Sequence, residues 1–247
     1  RSPLEWIGCS PYPILEENNQ ITAALACPPD PEHIAWIRLF AAAYSVDLNK
    51  VWDALWQKAQ ASLSENPVVH RVAAIPLYSW FSKLLLQADF SFSHNILMLS
   101  WEHTGMPAKP TASTVRVRPM TLDDLEWVSK LDQSAFPPLW QISTDYIELA
   151  FRQAAIATVA EQDNAVVGFQ ISTATSVGGH LARLAVEPSR QGTGIGYSLL
   201  YDLLGQFKRR GAQTITVNTQ EYNQASLKLY KRAGFVPTGE VYPVLEL

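Results

Sequence analysis

Residues 184–200 of the chain read Leu-Ala-Val-Glu-Pro-Ser-Arg-Gln-Gly-Thr-Gly-Ile-Gly-Tyr-Ser-Leu-Leu. An apolar segment typical of a strand runs into a turn that contains Gly192, Gly194 and Gly196, and a pattern typical of an amphipathic helix follows. Glycine lets the backbone of such a turn come close to a bulky group, because no Cβ intervenes. The first N–H groups of a helix lack intrahelical partners and stand at the positive end of its dipole. This stretch therefore predicts an anion site suited to a pyrophosphate.

The composition of the whole chain limits the classes of protein that fit it. Its 247 residues suffice for one large or two small domains, and 47% hydrophobic with 17% charged residues is typical of a packed globular protein. The formal net charge of −4 argues against a nucleic-acid partner that is bound through a broad basic surface. The tight basic cluster Lys208-Arg209-Arg210 falls at the end of a predicted helix, where cations complement the dipole.

The cysteines and the hydropathy pattern predict the environment of the protein. Cys9 and Cys27 lack the spacing of a zinc site or a disulfide framework, so no metal is expected. Two free thiols fit a reducing compartment. No apolar run approaches the roughly 18 residues that a membrane-spanning helix needs, and no signal peptide is visible. We therefore expect a cytoplasmic protein without a membrane partner, as a monomer or a homodimer.

Composition also changes along the chain and predicts two domains. The stretch 103–113 carries Gly105, Pro107 and Pro110 without apolar periodicity, which is typical of a linker. Six of the eight tryptophans precede this stretch, and ten of the twelve glycines follow it. Because a phosphate-binding loop needs glycine, the second half is predicted to hold any cofactor site. We assign residues 1–105 to a first domain, 106–113 to a linker and 114–247 to a catalytic domain.

Apolar periodicity predicts alternating strands and helices in the second half. Strands are expected at 114–120, 156–161, 165–175, 180–186 and 213–218, and again near 235 and at 241–247. Helices are expected at 121–134, 143–153, 195–207 and 223–233. Thr121 is predicted to cap the first of these helices and Gly211 to end the third. This order of elements predicts a mixed α/β domain with one turn of the phosphate-binding type.

The first half repeats part of this order. Strands are expected at 21–27, 68–77 and 95–101, and helices at 47–63 and 79–88, where Trp52 and Trp56 are expected in the core. The stretch 84–90 (Leu-Leu-Leu-Gln-Ala-Asp-Phe) also resembles 229–235 (Leu-Tyr-Lys-Arg-Ala-Gly-Phe). We infer a degenerate internal duplication. The corresponding turn at 27–33 has no glycine and two acids, so the first half is predicted to be a structural or substrate-shaping partner. An interaction domain for a partner protein is another hypothesis.

Two motifs in the second half resemble signatures of the GNAT superfamily of acyl-CoA N-acyltransferases. The turn 191–196 (Gln-Gly-Thr-Gly-Ile-Gly) matches the family pattern Gln/Arg-x-x-Gly-x-Gly/Ala. About thirty residues later, 223–235 (Asn-Gln-Ala-Ser-Leu-Lys-Leu-Tyr-Lys-Arg-Ala-Gly-Phe) resembles the second signature, Asn-x-x-Ala-x-x-Leu-Tyr-x-x-x-Gly-Phe. The resemblance covers about residues 114–247. The stretch 134–140 (Ser-Ala-Phe-Pro-Pro-Leu-Trp) is similar to the branch that acetylates protein N-termini.

The resemblance implies a fold, an activity and a co-substrate. The fold is the mixed α/β GNAT fold, a mostly antiparallel central sheet flanked by helices, preceded here by a smaller α/β domain that looks like a degenerate partial repeat. The activity is direct transfer of an acetyl group from acetyl-CoA to a primary amine of a small molecule or peptide. A non-catalytic acyl-CoA-binding regulatory module is the alternative.

The resemblance also implies roles for individual residues. The backbone groups of Leu184, Ala185 and Val186 would pair with the pantetheine arm of CoA. The pyrophosphate would be held by the N–H groups of Gln191, Gly192, Thr193, Gly194, Ile195 and Gly196. Asn223 would contact the CoA arm, and Tyr230 would protonate the departing thiolate. Tyr230 at its helical spacing also fits a core position, and Asn223 also fits a helix cap.

The residue that accepts the amine proton is left open by the sequence. Family members often place a glutamate on the strand before the turn or on the strand that follows. Here His180 begins the first of these strands, and Asn218 stands where the peptide-acetylating branch commonly has an acid. A neutral histidine can accept a proton near pH 7, although a structural role also fits His180. Glu187, Glu221 and water are the other candidates.

Two other nucleotide sites fit the glycine turn less well. A Rossmann dinucleotide site has the spacing Gly-x-Gly-x-x-Gly and an acid about 20 residues later, and the turn has neither. A P-loop requires a Lys-Ser/Thr pair after its glycines, which is missing here.

Overall fold

A computed structural model describes residues 6–102, 105–110, 115–175 and 178–247. The chain divides into two compact units, Arg1–Asn95 with Tyr242–Leu247 and Ile96–Val241. Residues 105–110 of the predicted linker region lie in the second unit, where the Tyr197 hydroxyl donates to the Ala108 carbonyl at 2.7 Å. Residues 111–113 of that linker, and residue 114 of the strand predicted after it, lie outside the described residues. The derivation of the first half from a duplicated domain stays a prediction.

The described residues of the first unit form two α-helices and several short strands. They are β1 (Ile14–Glu17), β2 (Gln20–Ala26), β3 (Ile34–Ile37), β4 (Leu39–Ala42), α1 (Leu48–Ser64), β5 (Arg71–Ala74) and α2 (Ser79–Gln87). β1, β2 and β4 form an antiparallel sheet. β3 runs parallel to β5, and β5 pairs with Leu245 and Glu246, which belong to β12 (Val236–Glu246).

Helix α1 forms where the sequence predicts it. Asp47 caps the helix, because its Oδ1 atom accepts from the Asn49 and Lys50 amides at 3.1 and 3.2 Å. The apolar stripe of the helix buries Trp52 and Trp56, whose rings stack with their centroids 5.6 Å apart. The core position predicted for these two tryptophans is therefore confirmed.

Four elements of the first half differ from the sequence prediction. Strands β1, β3 and β4 were not predicted. The strand expected over residues 68–77 is wrong in its length, since only Arg71–Ala74 pairs and Val68 is exposed. Short strands give too few alternations for periodicity to detect them.

Within its described residues, the second unit contains most of a large sheet and four α-helices. Its elements are β6 (Ser91–Glu102, of which Ser91–Asn95 belongs to the first unit), β7 (Arg116–Pro119), α3 (Leu125–Ala135), α4 (Thr144–Arg152), β8 (Ile156–Gln162), β9 (Ala165–Ala174), β10 (Gly178–Val186), α5 (Ile195–Arg209), β11 (Thr214–Gln220) and α6 (Gln224–Arg232), with most of β12. The strand order is β12-β6-β11-β10-β9-β8-β7. The β10–β11 pair is parallel, and the β6–β11, β9–β10, β8–β9 and β7–β8 pairs are antiparallel.

The predicted fold class is confirmed: the chain has a mixed α/β fold with a mostly antiparallel sheet flanked by helices. The helices predicted in the second half all form. Thr121 is the N-cap of a short 3-10 turn, Leu122–Asp124, that leads into α3, where Asp124 is the N-cap residue. Ser143 is the N-cap of α4, and Gly211, at φ +79°, follows the end of α5. One prediction is wrong, because the two strands expected near 235 and at 241–247 are the single strand β12. No helix in the described part of the chain is long and apolar enough to cross a membrane.

The two faces of this sheet pack against different helices. One face, which we call the α3/α4 face, carries Phe169, Ile171 and Ala185 in a core with residues of α3 and α4. The opposite face, which we call the α5 face, carries Leu181, Ile215 and Val217 in a core with residues of α5 and α6. A side chain on one of these faces can therefore reach the centre of the sheet from that face only.

Candidate active site

Strands β10 and β11 diverge part-way along their length. Their parallel ladder runs from the pair Gly178–Thr214 to the pair Leu181–Val217. Beyond it, β10 continues to Val186 and β11 to Gln220, while β10 stays paired with β9 as far as Val186 and Gly168. A β-bulge between Leu181 and Arg183 coincides with the point of divergence. We call the gap between residues 183–186 of β10 and 218–220 of β11 the notch.

The three residues expected to bind the pantetheine arm line one side of the notch. Ala185 is buried on the α3/α4 face, and Leu184 and Val186 lie on the α5 face beside Gly196. The Val186 carbonyl accepts from Gln191 Nε2 at 3.1 Å. Because the ladder with β11 ends at Leu181, the edge of β10 that faces the notch can take an added strand-like ligand over the residues that follow.

The glycine turn follows β10 directly and leads into α5. Gly192 has φ +79°, and Gly194, the N-cap of α5, has φ +95°. Among the described residues nothing lies within 4 Å of a Cβ built at either position. The left-handed backbone therefore favours glycine at both positions, without any need for close packing against the described residues. The close approach of a bulky group, expected from the sequence, stays a prediction. Gly196 is helical, and a Cβ there would lie 3.4 Å from the Leu229 side chain.

The start of α5 presents unpaired amides next to this turn. The Ser198 amide makes the first helical bond, to the Gly194 carbonyl at 3.0 Å. The amides of Ile195, Gly196 and Tyr197 precede it and have no acceptor within the helix. Residues 191–194 are exposed. The turn can therefore accept an anion at the positive end of a fifteen-residue helix.

The side chains around the turn hold it in shape. Thr193 Oγ1 donates to the Arg190 carbonyl at 2.7 Å, and Arg190 Nη1 donates to Gln162 Oε1 at 2.6 Å. Arg190 Nε also lies 3.0 Å from Glu187 Oε2. Glu187, one of the candidate bases, is thus engaged in a partly exposed ion pair.

Asn223 caps helix α6. Its Oδ1 atom accepts from the Ser226 amide at 3.1 Å, and its Nδ2 atom donates to Gln220 Oε1 at 3.4 Å. The capping role allowed by the sequence is therefore present in the fold. A contact with the CoA arm stays a prediction.

Tyr230 lies in the core beneath the α5 face. Its side chain is almost fully buried, its ring packs 5.7 Å from the Phe235 ring, and its hydroxyl hydrogen-bonds with Ser226 one helical turn earlier. Burial raises the pKa of Tyr230 above its ordinary value of 10.0, although the Ser226 hydrogen bond acts in the opposite direction. The phenol therefore carries its proton at neutral pH, which is the state that a general acid requires.

His180 lies on the α3/α4 face, one residue before the ladder between β10 and β11 ends. Its Nδ1 atom is 2.9 Å from Thr216 Oγ1, and burial lowers its pKa below the ordinary value of 6.5. The ring is therefore neutral at pH 7. Thr216 Oγ1 also lies 3.5 Å from the Gly179 carbonyl. A hydroxyl that donates to this carbonyl accepts from His180 Nδ1–H, which leaves Nε2 with a free lone pair.

The remaining candidates lie near the far side of the notch. Asn218 is exposed on β11 and shares the face of Thr216 and His180. Glu221 follows the end of β11. The structure thus brings His180 and Asn218 to one face of the sheet and places Tyr230 on the other. Among the described residues, no group of three or more His, Cys, Asp and Glu side chains could hold a metal ion.

Sequence reasoning missed an ion pair at the bulge of β10. Arg183 donates to both carboxylate oxygens of Asp132 on α3, and its Nη2 atom also donates to the Trp140 carbonyl at 2.6 Å. The guanidinium carbon lies 3.8 Å from the centre of the Phe136 ring. A single arginine within an apolar strand, and an aspartate on the apolar stripe of a helix, were the signals in the sequence.

The comparisons with known proteins concern the part of the chain that holds this site. The model of the acetyltransferase (GNAT) family matches residues 124–235. The ribosomal protein bS18-alanine N-acetyltransferase of Haemophilus influenzae is 30% identical over 112 residues, which cover 45% of this chain and 75% of that protein. The chain belongs to the GNAT acetyltransferase family. The N-alpha-acetyltransferase 30 of Schizosaccharomyces pombe is 31% identical to this GNAT protein over 86 residues, 35% of this chain and 53% of that one.

A solved structure resembles the GNAT protein over nearly its whole length. It is a tandem GNAT protein from the clavulanic acid biosynthesis pathway, with a TM-score of 0.67 and 15% identity over 95% of this chain and 81% of that one. At this identity the likeness concerns the fold alone. It extends beyond the residues that match the family model.

Proposed function

We propose that this GNAT protein transfers an acetyl group from acetyl-CoA directly to a primary amine of a peptide or a small molecule. The observation that carries the proposal is the divergence of β10 and β11 immediately before the glycine turn. The extended backbone edge of β10 and the anion site at the start of α5 therefore follow one another along a single path on the protein. A thioester on a long amide-containing arm with a pyrophosphate at its end matches that path.

The donor would lie against the backbone of this path. The arm pairs with Leu184, Ala185 and Val186 as an added strand, and the pyrophosphate takes the amides of residues 191–196. The positive φ of Gly192 and Gly194 supports this role, because it bends the chain around the amides that precede α5. Asn223 at the start of α6 would contact the arm from the α5 face.

Bound acetyl-CoA supplies the thioester, whose carbonyl carbon the neutral amine attacks. The C–N bond forms and the C–S bond breaks, so the nitrogen loses a proton and the sulfur gains one. His180 Nε2 would accept the amine proton on the α3/α4 face, and the Tyr230 hydroxyl would donate to the thiolate from the α5 face. Backbone amides that line the notch would stabilise the oxyanion of the tetrahedral intermediate.

The acceptor proposed first is the α-amine of a peptide. Two of the relatives with about 30% identity are named as a ribosomal protein bS18-alanine N-acetyltransferase and an N-alpha-acetyltransferase. Residues 136–141, between α3 and α4, lie on the α3/α4 face and would form one wall of the acceptor pocket. Small amines stay within the proposal.

The alternative is an acyl-CoA-binding regulatory module. Asn218, in the place of an acid, favours it, because an amide cannot act as a base. Tyr230→Phe separates the two: an enzyme loses turnover and keeps its affinity, whereas a regulatory module is unaffected in its response to acyl-CoA.

The test of the proposed function is a calorimetric titration with acetyl-CoA, CoA and NADH, followed by mass spectrometry of an alanine-terminated peptide incubated with the protein and acetyl-CoA. Acetyl-CoA binding together with a mass increase of one acetyl group on the peptide supports the proposal. Binding without transfer to any of a panel of amines supports the regulatory alternative. If acetyl-CoA does not bind, the proposal is overturned.

A further inference from the structure

Arg183 occupies a particular place in the sheet. It is the β10 residue that pairs with Ile171 of β9 directly after the bulge, and it faces α3 and α4. The residue therefore lies where β10 leaves β11, on the side from which the proposed acceptor arrives. Its guanidinium is held at that point by three contacts, to the Asp132 carboxylate, the Trp140 carbonyl and the Phe136 ring.

Asp132 fixes this arginine and the loop after α3 together. The side chain of Asp132 is fully buried, and its Oδ2 atom also accepts from the Ile142 amide at 3.3 Å. Gln141 Nε2 ties the same loop to the Phe136 carbonyl at 3.0 Å. The guanidinium therefore has one orientation, set by a bidentate carboxylate and an aromatic face, which a lysine cannot reproduce.

One part of the guanidinium remains available. Nε and Nη2 make all the hydrogen bonds of Arg183 within the described part of the chain, and Nη1 makes none there. The side chain is 14% exposed, so it is not closed off from a ligand. Since Asp132 already balances its charge, a neutral carbonyl can accept from Nη1 without bringing a second negative charge next to the buried carboxylate.

We propose that Arg183 Nη1 binds the carbonyl oxygen next to the amine of the acceptor, and that this contact selects amines of the peptide type over simple alkylamines and polyamines. The first carbonyl of a peptide lies two bonds from its α-amine, so one fixed donor beside the notch can orient both groups. The inference rests on the proposed function and names the acceptor class of the same site.

The test compares alaninamide with 2-aminopropane, in which a methyl group replaces the carboxamide. Rates are expressed per neutral amine, because the two amines differ in pKa. The wild-type protein is expected to show a kcat/KM about tenfold higher for alaninamide, the value of one hydrogen bond from a charged donor. Arg183→Lys is expected to remove this preference, because its kcat/KM should fall about tenfold further for alaninamide, through a higher KM, than for 2-aminopropane, while the acetyl-CoA Kd is unchanged. Arg152→Lys, in the exposed Arg152–Glu148 pair of α4, is the matched control and should leave kcat/KM unchanged for both amines.

Each outcome bears on a different claim. Equal wild-type rates on the two amines overturn the inference, even if the Arg183 variant does not fold. A folded Arg183→Lys protein that keeps the full preference also overturns it. A loss of rate on both amines alike assigns Arg183 to holding the loop and not to the acceptor carbonyl. A wild-type protein that acetylates neither amine nor an alanine-terminated peptide contradicts the proposed function itself.

Discussion

Leu181 and Val217 form the last pair of the parallel ladder between β10 and β11, although β10 continues to Val186 and β11 to Gln220. The divergence does not release β10, because its antiparallel ladder with β9 continues to the end of the strand. A gap thus opens within a sheet whose remaining strands stay paired. Backbone groups that give up strand partners in this way favour a ligand that restores their hydrogen bonds.

Gly194→Ala is expected to abolish most acetyl-CoA binding. The residue adopts φ +95° at the N-cap of α5, and an L-residue there destabilises the fold by about 1 kcal/mol or shifts the amides of the turn. We expect at least a tenfold rise in the Kd for acetyl-CoA, which is about 1.4 kcal/mol. Calorimetric titration measures the change.

Gly211→Ala is the control for this change. Gly211 has φ +79° with open space around its Cβ position, but it follows the opposite end of the same helix. Both variants should lose a similar free energy of unfolding in urea, and only Gly194→Ala should lose affinity. If both variants bound acetyl-CoA with equal affinity, the glycine turn would not be part of the binding site.

Tyr230→Phe is expected to lower kcat about a hundredfold without changing the Kd for acetyl-CoA, because the phenol is the proposed acid for the thiolate. The matched variant is Ser226→Ala. Ser226 stands where the second signature of the family has alanine, and its hydrogen bond lowers the pKa of Tyr230. Removal of that bond leaves the phenol in place, so kcat should change by less than tenfold. Full turnover in the Tyr230→Phe protein would show that this tyrosine has only a packing role in the core.

Local features of the second half could be predicted from the sequence, because local interactions set them. Thr121, Ser143 and Asn223 stand at the starts of helices, and apolar periodicity places α3 to α6 within a few residues. The divergence of β10 from β11 could not be predicted, since it depends on pairing between segments about 36 residues apart. The Arg183–Asp132 pair joins residues 51 positions apart in the same way.

The role of Tyr230 shows a second limit. Helical spacing places Tyr230 on the apolar face of its helix, and the family signature implies that it is an acid. The sequence fits both descriptions equally well. Packing around Phe235 and the bond to Ser226 show that it is buried and protonated at once. A buried phenol that keeps its proton meets the requirements of both descriptions.

When rates are expressed per neutral amine, the pH dependence of kcat/KM should show an acidic limb below 6.5 that His180→Gln removes. Burial lowers the pKa of His180, so the neutral base is present throughout the range above 6.5, and the rate falls as the ring gains its proton. Thr216→Val, which removes the Nδ1 partner but keeps the shape of the side chain, should keep the limb and lower the rate. An unchanged profile in His180→Gln would favour water as the base.

The free energy of unfolding should also depend on the protonation of His180. Because the folded-state pKa lies below the unfolded-state value, the unfolded chain binds the proton first as the pH falls from 6.5. The free energy of unfolding of the wild-type protein therefore decreases between 6.5 and the folded-state pKa, and is flat with respect to this group above 6.5. Urea titrations of the wild-type protein and His180→Gln across this range should differ in slope.

Removal of residues 1–105 is expected to unfold the remainder, because it removes the β6 residues that belong to the second unit. Residues 96–102 of β6 pair with Thr214–Gln220 along the whole of β11, and Leu99 and Trp101 are buried in the core of the α5 face. A chain that begins at 106 would leave β11 without this neighbour and the core without two large side chains. A chain that begins at Ser91 keeps the strand, and it should retain more near-ultraviolet circular dichroism and a higher melting temperature. If the 106–247 chain bound acetyl-CoA like the intact protein, β6 would be dispensable for the notch, and the division of the chain at the predicted linker would stand.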